Sequence, residues 1–187
     1  MKKLLAILAI VVAVFAVIYA FSGKSGAIQH KTLVAYFSAT GNTAAVADRL
    51  ATATGADLFA IEPVLAYSQE DLDWRNEKSR SSVEMGNRSS RPEIASKIEN
   101  IKQYDIIFVG FPIWWGREPS IIDTFVESYD LAGKTIVPFA TSGSTPTTDE
   151  AAESMRQLAP NANIVNGARF PVDVSADELK TWAGEWL

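Results

Sequence analysis

From Lys31 onward, short apolar runs alternate with stretches whose apolar residues recur every three or four positions. The runs Thr32–Phe37 (TLVAYF), Leu58–Ile61, Asp105–Phe111 (DIIFVGF), Lys134–Ala140 (KTIVPFA) and Ala162–Val165 predict five strands, the last free to continue past Gly167. Asp105–Phe111 shows no polar alternation, as expected of a strand covered on both faces. Pro138 weakens the fourth strand, because proline donates no ladder hydrogen bond. Helical periodicity covers Asn42–Ala53, Ser120–Ser128, Thr148–Leu158 (closed by Pro160) and Asp177–Trp186. A further helix is predicted near 69–80. Ser68 and Asp71 have capping-box spacing, and Glu70, Asp71 and Asp73 precede Arg75, Lys78 and Arg80, the order a helix dipole favours. Residues 81–93 then read as a polar loop. Strands alternating with helices predict an α/β fold with a parallel sheet and right-handed crossovers.

Ahead of this pattern lies an unbroken apolar segment, residues 4–21, preceded by Met1-Lys2-Lys3. At about 1.5 Å per residue, such a helix approaches the thickness of a hydrocarbon core. Its length fits a membrane anchor, while Ser25-Gly26-Ala27 fits the cleavage site of a signal peptide. Either way Lys2 and Lys3 stay on the cytoplasmic side, so the expectation is an extracytoplasmic protein, membrane-anchored through residues 4–21 or secreted. The division predicted is 1–27 as signal peptide or anchor and 28–187 as one folded domain.

Composition narrows the chemistry. The chain has no cysteine and a single histidine, His30, among 187 residues. That removes disulfides, thiolate metal sites, iron–sulfur clusters and a cysteine nucleophile, and it disfavours a Ser-His-Asp triad. Three lysines and no acid fall in residues 1–27, leaving 14 basic against 22 acidic groups in the rest. So acidic a domain is repelled by phosphate backbones, and no nucleic-acid partner is expected.

In a doubly wound sheet, ligands bind beyond the carboxyl ends of the strands. After the first strand comes Ser38-Ala39-Thr40-Gly41-Asn42-Thr43. Hydroxyls, an amide and a helix N-terminus can cradle an anion, although Ser, Thr and Asn are also ordinary helix caps. Neither a Walker P-loop nor G-x-G-x-x-G is present, so a single terminal phosphate among neutral donors is the reading. After the third strand comes Pro112-Ile113-Trp114-Trp115-Gly116. Adjacent tryptophans cannot both be buried on one face, and at a sheet edge they offer a stacking surface for a flat ligand. After the fourth strand, Thr141-Ser142-Gly143-Ser144 offers hydroxyls and backbone donors without charge.

A flat heterocycle bearing one phosphate fits all three loops together, and FMN is such a molecule. On S-A-T-G-N-T at 38–43, D-I-I-F-V-G-F-P-I-W-W-G at 105–116, T-S-G-S at 141–144 and E-S-Y-D-L-A-G-K-T-I-V-P-F at 127–139, the chain resembles the flavodoxin family over residues 31–187. The resemblance implies a flavodoxin-like, doubly wound five-stranded parallel sheet of order 2-1-3-4-5 with helices on both faces. It implies phosphate contacts from Ser38, Thr40, Gly41, Asn42 and Thr43, isoalloxazine contacts from Pro112, Ile113, Trp114, Trp115 and Gly116, and a third contact from Thr141, Ser142 and Gly143. Flavodoxins commonly sandwich the ring between two aromatics, one from the loop after the fourth strand. Residues 141–146 hold none, so the second ring face is either open or covered from residues 67–92, where Tyr67 and Trp74 are the candidates.

The function so implied is FMN-dependent electron transfer, with no catalytic protein residue and no metal. The partner would be a redox protein or a small-molecule electron acceptor. An FMN-dependent NAD(P)H or quinone reductase, and a flavin-free binding module on the same fold, are the alternatives.

Overall fold

Residues 30–141 and 147–187 are described by the computed structural model. In chain order they form β1 (Thr32–Tyr36), α1 (Asn42–Thr54), β2 (Asp57–Ala60), α2 (Arg80–Gly86), β3 (Ile106–Pro112), α3 (Ser120–Glu127), β4 (Thr135–Thr141), α4 (Asp149–Leu158), β5 (Asn163–Ile164), β6 (Ala168–Phe170) and α5 (Ala176–Ala183). The strand order is β2-β1-β3-β4-β5, and every pairing between strands is parallel. The predicted doubly wound order 2-1-3-4-5 is therefore the observed one.

The fifth position of the sheet is shared. β5 pairs with Thr135 and Ile136 of β4, and β6 pairs with Phe139, Ala140 and Thr141. This division explains Pro138. The Ile136 carbonyl accepts from Val165, and strand alternation turns residue 138 toward the same edge. Its missing N–H thus falls where β5 has ended and β6 has not begun.

Both sheet faces are covered, which accounts for the apolar continuity of β3. Leu33, Ala35, Ile107, Val109, Phe111 and Ile136 pack on one face with Ile121, Ile122 and Phe125 of α3 and Ala151, Ala152 and Met155 of α4. Val34, Phe108, Val137 and Phe139 pack on the other with Val46 and Leu50 of α1 and Leu179 and Ala183 of α5.

One element lies elsewhere than its sequence pattern indicates. Residues 69–79 are turns, and the helix is α2, within the segment read as polar loop. The Ser68–Asp71 reciprocal bonds do form, at 2.8 and 3.1 Å. Past them, the Asp73 and Asn76 side chains accept from the backbone N–H groups of Arg75 and Lys78, at 3.1 and 3.0 Å. Such local acceptors compete with the helical ladder and favour turns. α2 starts instead at Ser79, whose hydroxyl accepts from Ser82 N–H.

The apolar segment 4–21, the Ser25-Gly26-Ala27 cleavage site, and Ser142 and Gly143 of the loop after β4 lie outside the described residues. Among the described residues, no helix is long and apolar enough to cross a membrane.

Gly110 of β3 is fixed by packing: a β-carbon there would fall 2.2 Å from the ring of Phe139. Gly110→Ala is expected to destabilise the fold by about 1–3 kcal/mol through overpacking. Measured by urea denaturation, Gly110→Ala combined with Phe139→Leu should cost less than the sum of the single changes. Strict additivity would place the strain elsewhere.

Candidate functional site

β2 and β3 flank β1 on opposite sides, so the chain reverses its direction of winding between β1 and β3. The crevice beyond the carboxyl ends of those two strands is the switch point of the sheet. A cavity of about 390 Å³ opens there, lined by Ala39 and Thr40 after β1 and by Pro112, Ile113, Trp114 and Trp115 after β3. Leu72, Trp74 and Ser81 line it from the insertion between β2 and β3.

The loop after β1 is organised by its own backbone. Gly41 N–H donates to the Ser38 hydroxyl at 3.1 Å. Gly41 is also the N-cap of α1, and no side chain caps that helix. Its first-turn N–H groups therefore lack an intrahelical partner and a capping side chain, the condition under which helix N-termini receive anions. Thr40, Gly41 and Asn42 are exposed. Thr43 is not: its hydroxyl lies 2.7 Å from that of Thr141, and both residues are buried. These two predicted ligand contacts thus meet beneath the loop and tie the start of α1 to the end of β4.

The two tryptophans have different roles. Trp114 packs edge-on against Phe37 and Tyr67, with ring centroids 5.5 and 5.4 Å away. Trp115 is 51 % exposed. The difference comes from a tight turn in which Trp114 and Arg117 exchange backbone hydrogen bonds at 2.9 and 3.1 Å. The two central residues have positive φ, 48° at Trp115 and 85° at Gly116. This is the handedness of a type I′ turn, in which glycine is ordinary and tryptophan is strained. The turn places Trp115 in the lining of the cavity.

Also lining the cavity, Trp74 is 66 % exposed, and the Arg75 guanidinium lies 4.9 Å from its ring centroid. The insertion bearing Trp74 is anchored by a polar cluster. The Tyr67 hydroxyl donates to Glu84 at 2.5 Å, Arg80 Nε donates to Glu84 at 2.7 Å, and the Arg80 guanidinium lies 4.0 Å from the Tyr67 ring centroid. Burial, reinforced by Glu84, holds the Tyr67 phenol above its ordinary range, so it stays a donor. Ser81 N–H donates to the Asp71 carbonyl at 3.0 Å, closing the insertion on itself. Of the two aromatics proposed to cover the site, Trp74 lines the cavity and Tyr67 buttresses Trp114.

Sequence reasoning did not single out Leu72 and Ser81, which also line the cavity. The available signals were the Ser79 cap and the Arg80–Glu84 pair four residues apart, both marks of a helix over 80–86. Among the described residues, none that lines the cavity is ionisable. Among the described residues, no cluster of His, Asp and Glu is suited to a metal ion.

A doubly wound α/β protein with a neutral, aromatic cavity at its switch point is the class that fold and site define. The family model Flavodoxin matches residues 31–186, and the chain belongs to the flavodoxin family. It is similar to a candidate flavoprotein from Bacteroides eggerthii at 45 % identity and TM-score 0.79, covering 84 % of this chain and 98 % of that one. A candidate flavoprotein from Bacteroides uniformis is also 45 % identical, at TM-score 0.78, covering 83 % and 98 %. A flavoprotein from Lactobacillus acidophilus, solved in complex with FMN, shares the fold at 23 % identity and TM-score 0.59, covering 82 % and 99 %. No curated protein matches the chain.

The turn geometry separates the tryptophans by their effect on stability. Trp115→Asn is expected to leave stability unchanged or raise it by about 1 kcal/mol, since asparagine tolerates positive φ. Trp114→Ala is expected to cost about 2–3 kcal/mol by opening a gap against Phe37 and Tyr67. Chemical denaturation of both variants checks the ordering; a reversed order would refute it.

Proposed function

We propose that the chain binds FMN in the switch-point cavity and serves as an electron-transfer flavoprotein. The observation that carries this reading is the continuity of the cavity: Thr40 at the uncapped N-terminus of α1 and the exposed Trp115 line the same space. A group with a phosphate at one end and a flat ring at the other matches that arrangement. FMN, when bound, supplies the redox chemistry.

The residues present fit the cofactor. Thr40, Asn42 and the first-turn N–H groups of α1 hold the phosphate by neutral hydrogen bonds and the helix dipole. Ser38 shapes that loop through Gly41, and the Thr43–Thr141 hydroxyl pair fixes the helix start from below. Trp115 would stack on the ring, with Pro112, Ile113, Trp114 and Gly116 as its other contacts. Trp74 supplies the second aromatic that residues 141–146 lack, which favours electron carriage over a reductase with an open ring face. Ser142 and Gly143 would be further contacts, as the family resemblance implies. The 45 % identity to two candidate flavoproteins supports the reading.

In this proposal residues 4–21 either anchor the domain to the outer face of the cytoplasmic membrane or direct its export. The partner is a redox protein or a small electron acceptor reached on that side.

The purified protein, after mixing with FMN and gel filtration, is expected to retain flavin absorption bands. Thr40→Ala should weaken FMN binding about 10- to 100-fold, as loss of a hydrogen bond to a charged group does, and leave riboflavin binding nearly unchanged. Trp115→Ala should weaken both ligands by roughly tenfold through lost stacking. Equal losses for FMN and riboflavin in Thr40→Ala would refute the phosphate assignment, and no retained flavin would refute the function.

A further inference from the structure

Immediately after the Trp115–Gly116 turn in the chain comes a buried ionic cluster that the proposed flavin chemistry does not use. Arg117, Glu118 and Asp123 are 3 %, 0 % and 3 % exposed. Arg117 donates to the Glu118 carbonyl at 3.1 Å and to Glu118 Oε1 at 3.4 Å, and lies 3.6 Å from Asp123 Oδ2. Glu118 Oε2 and Asp123 Oδ1 are both buried with no donor partner. An orphaned carboxylate oxygen is costly, and here there are two, on carboxyl groups that both approach the same Arg117 guanidinium.

The surrounding charges leave one negative charge in excess. Arg91 approaches Asp123 Oδ2 at 3.6 Å but is bonded through two nitrogens to Glu127 of α3, at 2.6 and 2.9 Å. Arg88 is paired with Glu150 of α4 at 3.0 Å. From α4, Ser154 also faces the pair, and Glu153 nearby is itself paired with Arg156 at 3.3 Å. Among the described residues, Arg117 is thus the one cation near both buried carboxylates, Arg91 being shared between Asp123 and Glu127, and a single proton restores neutrality while giving both orphaned oxygens a partner.

We propose that Glu118 and Asp123 share one proton between Oε2 and Oδ1, forming a proton-binding site just after the aromatic turn whose ionisation opposes an anion in the switch-point cavity. The exchange is a simple equilibrium: the acid–carboxylate pair releases a proton to solvent and becomes two carboxylates. A second cavity, of about 490 Å³, is lined by Asp123, Ser154, Arg88 and Arg91 and gives the proton a route out. Burial, and then repulsion from Asp123, push Glu118 up to about 7, and burial likewise raises Asp123. Two carboxylates in one site behave this way because both cannot ionise cheaply.

The proton itself is tested on the flavin-free protein, and only the effect on the cavity rests on the FMN reading. At about pH 6, where exposed carboxylates are ionised, infrared difference spectroscopy should show one carboxylic-acid C=O stretch that vanishes toward about pH 9. Glu118→Gln and Asp123→Asn should each abolish it. Because the folded-state value lies above that of a free glutamate, the pair's contribution to stability is complete below the ordinary glutamate range and lost as pH rises through 7. The wild-type folding constant should therefore fall by roughly a hundredfold across that window relative to Glu118→Gln. FMN affinity should decline several-fold more steeply from about pH 6 to about pH 8.5 in the wild type than in Glu118→Gln. Absence of the infrared band in the wild type would overturn the shared proton. Parallel FMN profiles in the two proteins would overturn its link to the cavity. Failure to bind FMN would count against the flavin reading and the link, while the infrared band would still decide the proton.

Discussion

A strand buried on both faces and paired on both edges can place functional groups only beyond its ends. β3 is such a strand: six of its seven residues are buried, and it lies between β1 and β4. Its side chains are committed to two cores, so whatever chemistry it carries must emerge after Pro112. β1 obeys the same constraint and ends at the loop before α1. Because the winding reverses between these two strands, their exits diverge and leave a crevice that no crossover helix fills. The position of the cavity is therefore a consequence of burying β3.

The loops that fill the crevice are held from behind. Thr43 and Thr141, 98 positions apart in the chain, meet at 2.7 Å and fix the start of α1 against the end of β4. Trp114 occupies the space between Phe37 and Tyr67, so the turn that follows has a rigid base. On that base Trp115 adopts a backbone conformation that tryptophan rarely takes, at a cost of order 1–3 kcal/mol. Only a well-packed neighbour can hold a residue there. The Tyr67–Glu84–Arg80 cluster anchors the insertion that carries Trp74, and Tyr67 also packs against Trp114.

Much of this was legible in the sequence where the signal was local. Continuous apolar runs identified the strands, and the residues after each strand gave the loops of the site. The helix at 69–80 was misplaced because capping spacing and charge order are satisfied equally well by a short series of turns. Asp73 and Asn76 tipped the balance by bonding their own backbone. The different roles of Trp114 and Trp115 were hidden because they depend on backbone handedness at one turn, not on residue type. The Thr43–Thr141 pair was hidden for another reason: each threonine alone reads as a free donor, and only the fold brings them together. Pro138 looked like an objection to β4, and the split between β5 and β6 removes it.

Charge is distributed so that an acidic protein presents an uncharged cavity. Residues 28–187 carry eight more acidic than basic groups, and that field repels phosphate. In the proposed complex the cavity would counter it through hydroxyls and the positive end of α1, with no lysine or arginine among the described residues that line it. Fixed dipoles of this kind are oriented by the fold and need no mobile counter-charge to be brought in. The buried ionic groups Arg117, Glu118 and Asp123 follow the aromatic turn in the chain. None of the three lines the cavity, so in the proposed scheme they would act on it through their net charge, not through contact. A layer of near-zero net charge leaves the helix dipole dominant, whereas an unbalanced carboxylate there works against it. The protonation of that layer is thus the variable on which the electrostatics of a neutral cavity most directly depends.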